Sequence, residues 1–191
     1  MKLSTEKEKI RKILLKKVFS LTGKEILIRS NRIKDNLCSL PIYKNSKIIM
    51  SYYPMKGEVD ILGMMEEALS QNKRICLPVI DLEKNDLYPF EVKNLNDCIL
   101  GPFDIRQPDT EKSKKVDIKD IDIILTPAIA FDYNKNRLGR GKGFYDRFLK
   151  KINKNTIKIG LAFDFQILES LPIHTKIDQK VSILVTERFI I

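Results

Sequence analysis

From Lys47 onward, short apolar runs alternate with segments whose apolar residues recur every three or four positions. Ile48-Ile49-Met50-Ser51-Tyr52-Tyr53, closed by Pro54, predicts a core strand, and Val59 through Gln71 has the spacing of a helix. Arg74 to Ile80 predicts the next strand. Leu87 to Val92, more polar and preceded by the turn-like Glu83-Lys84-Asn85-Asp86, predicts a strand nearer an edge. Residues 101–108 hold two prolines and no period, and with the charged stretch from Asp109 to Lys119 they read as loop. Beyond them, Asp122 to Phe131 predicts one buried strand, Phe144 to Ile152 a helix, and Ile157 to Phe163 and Val181 to Thr186 two more strands. A short helix is expected between those strands, from Asp164 to Leu171, ended by Pro172.

The first 46 residues are different. Ile10, Ile13, Leu14 and Val18 fall at helical spacing behind Ser4 or Thr5 as N-cap candidates, and Gly23 opens a second helix through Ile26, Ile33 and Leu37 that ends before Pro41. Apolar strands alternating with helices predict an α/β fold. Its sheet should be mostly parallel with helices on both faces, a three-layer Rossmann-like variant preceded by an N-terminal helical pair, all in one domain over residues 1–191. Such sheets collect ligands at the carboxyl ends of their strands. That rim should hold Tyr53 to Glu58, Phe131 to Asp146, Asp164 and the neighbourhood of Asp178.

Composition narrows the classes. Hydrophobic residues at 43% beside charged residues at 31% describe an ordinary globular chain, and no apolar run approaches a membrane span. The start, Met-Lys-Leu-Ser-Thr-Glu-Lys, lacks an apolar signal core, which points to the cytoplasm. Cys38, Cys76 and Cys98 with the single His174 make no standard zinc set. The net charge of +10 is uneven: residues 1–47 hold 13 Lys and Arg against 4 Asp and Glu, leaving 22 against 21 elsewhere. A basic helix there can track a phosphate backbone, present a solvated face or wall a small polyanion. No nucleic-acid motif accompanies it, so no nucleic-acid partner is expected.

The chemistry concentrates in Asn136-Arg137-Leu138-Gly139-Arg140-Gly141-Lys142-Gly143-Phe144-Tyr145-Asp146-Arg147. Glycines at alternate positions let the backbone approach a ligand closely, and the interleaved cations favour an anionic one. A phosphate cradle is the functional reading and a mobile basic connection the bland one; neither the P-loop nor the dinucleotide spacing is present. Asp146 either holds a hydrated Mg²⁺ or complements a helix dipole. Glu58 can bond a polar ring or open the following helix, and Asp178 alone reads as an exposed loop acid. His174 has no Gly-x-Ser-x-Gly elbow to serve, which disfavours a serine hydrolase.

The stretch from Asn136 to Asp146 closely resembles the signature of the 5-formyltetrahydrofolate cyclo-ligase family. Thr126 to Asp132, Leu161 to Gln166, Tyr53 to Asp60, Leu77-Pro78 and Lys7 to Arg11 are similar, in order and spacing, to further family segments. The resemblance implies ATP-dependent closure of 5-formyltetrahydrofolate to 5,10-methenyltetrahydrofolate, with release of ADP and phosphate, through a phosphorylated formyl group. The alternatives are a non-catalytic folate or nucleotide binder, or a related ligase acting on another reduced folate or pterin. By the same resemblance ATP would meet Lys7, Arg11, Arg137, Leu138, Gly139, Arg140, Gly141, Lys142, Gly143, Phe144 and Tyr145. The folate would meet Tyr53, Glu58, Arg140, Gly141, Lys142, Gly143 and Phe144. Arg140, Lys142 and Asp146 would carry catalysis, and Asp146 with Asp178 would hold Mg²⁺ in a monomer. Three positions depart from the family pattern: Val79 stands where a cation is frequent, Phe144 where a tyrosine is usual, and Ala128 where a glycine is usual.

Overall fold

The structure, a computed structural model, describes residues 2–174 and 177–191. Thr175 and Lys176, in the loop expected after His174, lie outside the described residues, as does Met1. The N-terminal pair is present as α1 (Lys2–Phe19) and α2 (Gly23–Ser39), the latter ending before Pro41 as expected, and a one-turn helix, α3 (Pro41–Asn45), follows. Pro41 is tolerated there because it occupies the first turn, where its missing N–H has no intrahelical partner to lose. α1 begins at Lys2, ahead of the expected caps. Its inward stripe also differs from the expected one: Leu14 and Val18 are buried, whereas Ile13 is 67% exposed. Steps of four, three and four residues therefore align Lys7, Arg11, Leu14 and Val18 on one face. The residues that anchor α1 to the core thus also aim its two cations inward.

The strands follow as β1 (Ile48–Met50), then α4 (Leu62–Ser70), β2 (Arg74–Asp81) and β3 (Asp86–Val92). α4 starts three residues later than its periodicity suggests. Asp60 Oδ1 accepts the Leu62 amide at 3.0 Å and the Asp60 amide donates to Ser30 Oγ at 3.0 Å, so the chain turns before the helix. A small hairpin of β4 (Ile99–Leu100) and β5 (Arg106–Gln107) occupies what reads as loop. Its tip holds Phe103 at φ 60° and Asp104 at φ 57°, backbone conformations unusual for these residues.

The expected strand from Asp122 to Phe131 is two strands in two sheets. β6 (Ile123–Pro127) lies in the main sheet, and β7 (Ala130–Asp132) turns into a three-stranded sheet with β8 (Arg137–Leu138). α5 (Phe144–Leu149) is six residues long: the Lys151 amide bonds back to the Phe148 carbonyl at 2.9 Å, three residues away, so the helical pattern does not continue to Ile152. β9 (Ile157–Leu161) returns to the main sheet. The expected helix from Asp164 is one 3-10 turn, Asp164–Gln166, running into β10 (Ile167–Leu168), which pairs with β7; β11 (Ile183–Val185) completes the main sheet.

The main sheet has the order β11-β9-β6-β1-β2-β3, parallel except for the edge strand β3. Alternate residues serve opposite faces. Ile49, Ile75, Leu77, Ile123 and Leu125 pack with Val18, Ile33, Leu37 and Met65 on the side of α1, α2 and α4. Met50, Cys76 and Ile124 pack with Val116, Phe148 and Leu149 on the other. Helices cover both faces, the second mainly through α5 and the segment near Val116. From β1 the chain proceeds to β2 and β3 on one side, and from β6 to β9 and β11 on the other. The order therefore reverses between β1 and β6, and a crevice opens at their carboxyl ends.

Candidate active site

A cavity of about 590 Å³ occupies that crevice. Tyr52, Tyr53 and Glu58 follow β1, Pro127 and Ala128 end β6, and Pro78 and Ile80 come from β2. Arg137 to Asp146 form one wall, Lys7 and Arg11 of α1 another, and His174 and Asp178 close a side. Every residue assigned to ATP, folate or metal from the sequence lines this cavity. Asp164, expected on the same rim, does not: it pairs with Arg29 at 3.1 Å and Arg188 at 2.9 Å, away from the walls.

The glycine loop is held at both ends. Upstream, the buried Asp132 accepts the Asn136 amide at 2.9 Å, the Asn136 side chain at 2.7 Å and the Leu171 amide at 3.0 Å, fixing the turn from β7 to β8. Arg11 Nε donates to the Gly139 carbonyl at 2.9 Å, tying α1 to the loop. A Cβ at Gly139 would stand 2.8 Å from Arg137 Nη1, so this glycine makes room for the guanidinium beneath it. Gly143 has φ 72° and serves as the cap residue of α5. With only six residues, α5 contributes little dipole. The positive field of the site comes from side chains.

Those side chains are already partnered. Arg137, its side chain 2% exposed, donates from Nη2 to Asp146 Oδ1 at 2.7 Å, and the same oxygen accepts the Gln179 amide at 3.2 Å. Lys7 pairs with Asp178, whose Oδ2 also accepts the His174 amide at 2.7 Å. Arg140 pairs through Nε with Glu58 Oε1 at 3.0 Å and donates from Nη2 to the Lys56 carbonyl at 3.1 Å. Glu58, its side chain 8% exposed, accepts the Met55 amide at 3.0 Å through its other oxygen. Burial pushes the Glu58 carboxyl above its ordinary range, while the Arg140 guanidinium draws it back in part. Burial, then the Glu58 charge, raises the Tyr52 phenol well above the usual tyrosine range.

Lys142 is different. Its Nζ stands 5.6 Å from the centre of the Phe103 ring and makes no ion pair among the described residues. Phe103 tilts against Phe144 with ring centres 6.1 Å apart, and Arg147 reaches from α5 to the Asn85 carbonyl and side chain at 2.6 Å each. Phe103 and Ile105 are thus cavity residues that sequence reading missed. The available signal was an aromatic between two prolines in a stretch without periodicity, too weak to separate from an ordinary loop.

Among the described residues no group of three or more His, Cys, Asp or Glu is arranged around one point. Besides Glu58, which is paired with Arg140, the cavity is lined by two carboxylates that could serve a cation, Asp146 and Asp178. That donor set does not suit a permanently held structural metal. It fits Mg²⁺ that arrives on a polyphosphate and keeps water ligands, since this ion is ordinarily bound by one or two carboxylates plus phosphate oxygens. No described helix is long and apolar enough to cross a membrane.

A family model described as the 5-formyltetrahydrofolate cyclo-ligase family matches residues 3–187. The chain is 34% identical over 138 residues to a 5-formyltetrahydrofolate cyclo-ligase of Haemophilus influenzae, covering 68% of this chain and 70% of that one. It is 29% identical over 203 residues to a probable 5-formyltetrahydrofolate cyclo-ligase of Schizosaccharomyces pombe, covering 99% and 98%. Among solved structures, the 5,10-methenyltetrahydrofolate synthetase of Aquifex aeolicus superposes with a TM-score of 0.84 at 37% identity, covering 96% of this chain and 91% of that one. The synthetase of Mycoplasma pneumoniae superposes with a TM-score of 0.78 at 23% identity, covering 96% and 99%, and so matches in fold.

Proposed function

Since the chain belongs to the 5-formyltetrahydrofolate cyclo-ligase family, we propose that it closes 5-formyltetrahydrofolate to 5,10-methenyltetrahydrofolate, converting ATP to ADP and phosphate. The observation that carries this reading is the gathering of one acceptor, Glu58, two carboxylates, Asp146 and Asp178, and the cations Lys7, Arg11, Arg140 and Lys142 around a single cavity. Residues 1–191 act as one domain in this reading.

The chemistry accounts for that mixture. A formamide oxygen is a poor leaving group, so the γ-phosphoryl group of ATP is first transferred to it. The neighbouring folate amine then attacks the activated carbon, the C–O bond breaks, and phosphate departs. Phosphoryl transfer needs alignment and charge neutralisation more than a covalent nucleophile. Mg²⁺ entering with the nucleotide would neutralise its phosphate oxygens, and Asp146 and Asp178 are the groups that would hold it. Lys142, free of an ion pair among the described residues, would meet the transferring phosphoryl group, beside Arg140, which bonds Glu58. Lys7 and Arg11 would bind the nucleotide from α1. Glu58 would accept from the N–H groups of the pterin, with Tyr53 and Phe144 packing against it.

Mixing the protein with 5-formyltetrahydrofolate and MgATP should raise the near-ultraviolet absorbance of the methenyl product, with ADP formed in step. Folded protein that yields no product overturns the reading. Folate bound without release of ADP would identify a binder instead.

A further inference from the structure

Four cations of the cavity are aimed by carboxylates. Lys7 pairs with Asp178, Arg11 with Glu8 at 2.7 Å, Arg137 with Asp146 and Arg140 with Glu58, so each head group has a fixed place. Lys142 has no such partner among the described residues. Its long stem carries ample rotamer freedom, and an ammonium that must meet one transition state depends on a backbone that stands still. What holds that backbone lies outside the cavity.

Arg147 does not line the cavity. It is the fourth residue of α5, and helical side chains lean toward the N-terminus, which places residues three and four positions earlier on the same face. Those residues are Phe144 and Gly143. The guanidinium carbon lies 5.1 Å from the centre of the Phe144 ring. A Cβ at Gly143 would stand 2.7 Å from Arg147 Nη1, so this glycine leaves the space that the guanidinium fills. Nη2 donates to the Lys142 carbonyl at 3.1 Å. Three consecutive residues of the loop thus meet one planar group.

That group is itself anchored. Nε donates to the Asn85 carbonyl and Nη2 to Asn85 Oδ1, at 2.6 Å each. Asn85 ends the turn between β2 and β3, which pair from Ile75 with Val92 to Asp81 with Asp86, so the anchor is the main sheet. All three acceptors are neutral, and the planar fork of donors does the fastening, which a point charge would not reproduce. We propose that Arg147 is a positioning residue of the reaction: clamped on Asn85, it holds the Lys142 carbonyl, and through it the base of the Lys142 side chain, so that the ammonium meets the transferring phosphoryl group. Arg147 itself touches neither ATP nor folate. The inference rests on the cyclo-ligase reading above.

A double-mutant cycle tests it. Arg147→Met keeps an unbranched stem against Phe144 and removes the donors. In the parent protein it should lower kcat about tenfold, the order expected when a catalytic group is misplaced, and leave the KM for ATP and for 5-formyltetrahydrofolate unchanged. In the Lys142→Ala protein the same change should cost nothing further, because no ammonium remains to be placed. A guanidinium that serves the fold alone would lower the melting temperature with kcat unchanged, or lower kcat by the same factor in both backgrounds. Either result overturns the proposal, as does a raised KM for ATP, which would make Arg147 a ligand. Asn85→Gly is the second variant and decides the matter if Arg147→Met does not fold: glycine accepts the φ of 53° found there, the chain carbonyl stays, and one anchor of the guanidinium is lost. Its kcat should fall by a smaller factor, again only where Lys142 is present, and an unchanged kcat overturns the proposal. Failure of the parent protein itself to turn over removes the cyclo-ligase reading, and this inference with it.

Discussion

Glu58 and Lys142 show how differently two residues of one site are held. Glu58 is buried with its carboxyl raised, so its ionised form is disfavoured by folding. A group raised in this way contributes stability below its ordinary value of 4.5 and loses it as pH rises through the folded value. Replacing it by glutamine keeps the shape and an acceptor for Arg140 while removing the buried charge. Glu58→Gln should therefore gain in stability over the parent protein as pH rises from 4.5 toward neutrality, and weaken folate binding at the same time. Thermal denaturation across that range checks the first statement and titration calorimetry with the folate the second; a stability difference that shrinks with rising pH would contradict the burial argument. Lys142 makes no ion pair among the described residues and one contact with Phe103, so its removal should leave the fold intact. Lys142→Ala should lower kcat by about a hundredfold, the usual order for losing one charge-stabilising group in a transition state, with an unaltered melting temperature. Single-turnover rates decide it.

Among the elements, α2 is fastened by a reciprocal cap. Thr22 Oγ1 accepts the Glu25 amide at 3.2 Å and the Glu25 carboxylate accepts the Thr22 amide at 2.8 Å, which, with the hydroxyl bond between them, holds Glu25 below its ordinary carboxylate range. Thr22→Ala should cost about 1 kcal/mol of stability in denaturant unfolding, with no change in either substrate's KM, because this end of α2 does not line the cavity. An altered KM would mean that α2 communicates with the site. The elements also mark where sequence reading succeeds. Periodicity located α1, α2, α4 and every strand of the main sheet, because each has one environment along its length. It failed at Asp122–Phe131, where a largely apolar stretch crosses from one sheet to another at Ala128 and Ile129. Apolar character continues beyond that change of direction, since both segments are buried, and the buried Thr126 with Pro127, both still within the first strand, does not mark it as a break. It failed again at Asp164–Leu171, where Ile167 and Leu168 are drawn into β10 by a strand distant in sequence. Of the site, the glycine loop was legible because charge at fixed spacing is local information, whereas Lys7 and Arg11 entered only through the family resemblance, since the helical pattern alone reads them as a face away from the packed one. Phe103 was not legible, since only tertiary contact brings it to the wall.

Across the whole molecule, the reversal of strand order between β1 and β6 puts the cavity where two halves of the sheet diverge, and α1 crosses to it from the other end of the chain. The basicity of residues 1–47 is then partly a property of the site, because Lys7 and Arg11 reach it. The pairing of those and neighbouring cations has a further consequence. Lys7 is matched by Asp178, Arg137 by Asp146 and Arg140 by Glu58, so the free protein supplies its own counter-ions and has few to release into solution. An anionic ligand would then enter by exchanging partners with carboxylates of the chain. The affinity for MgATP should therefore fall with added salt less steeply than the number of cations around the cavity would suggest. Calorimetric Kd values at low and high ionic strength measure that slope, and a steep one would mean that the pairs are open in solution and that mobile salt ions stand where the carboxylates do.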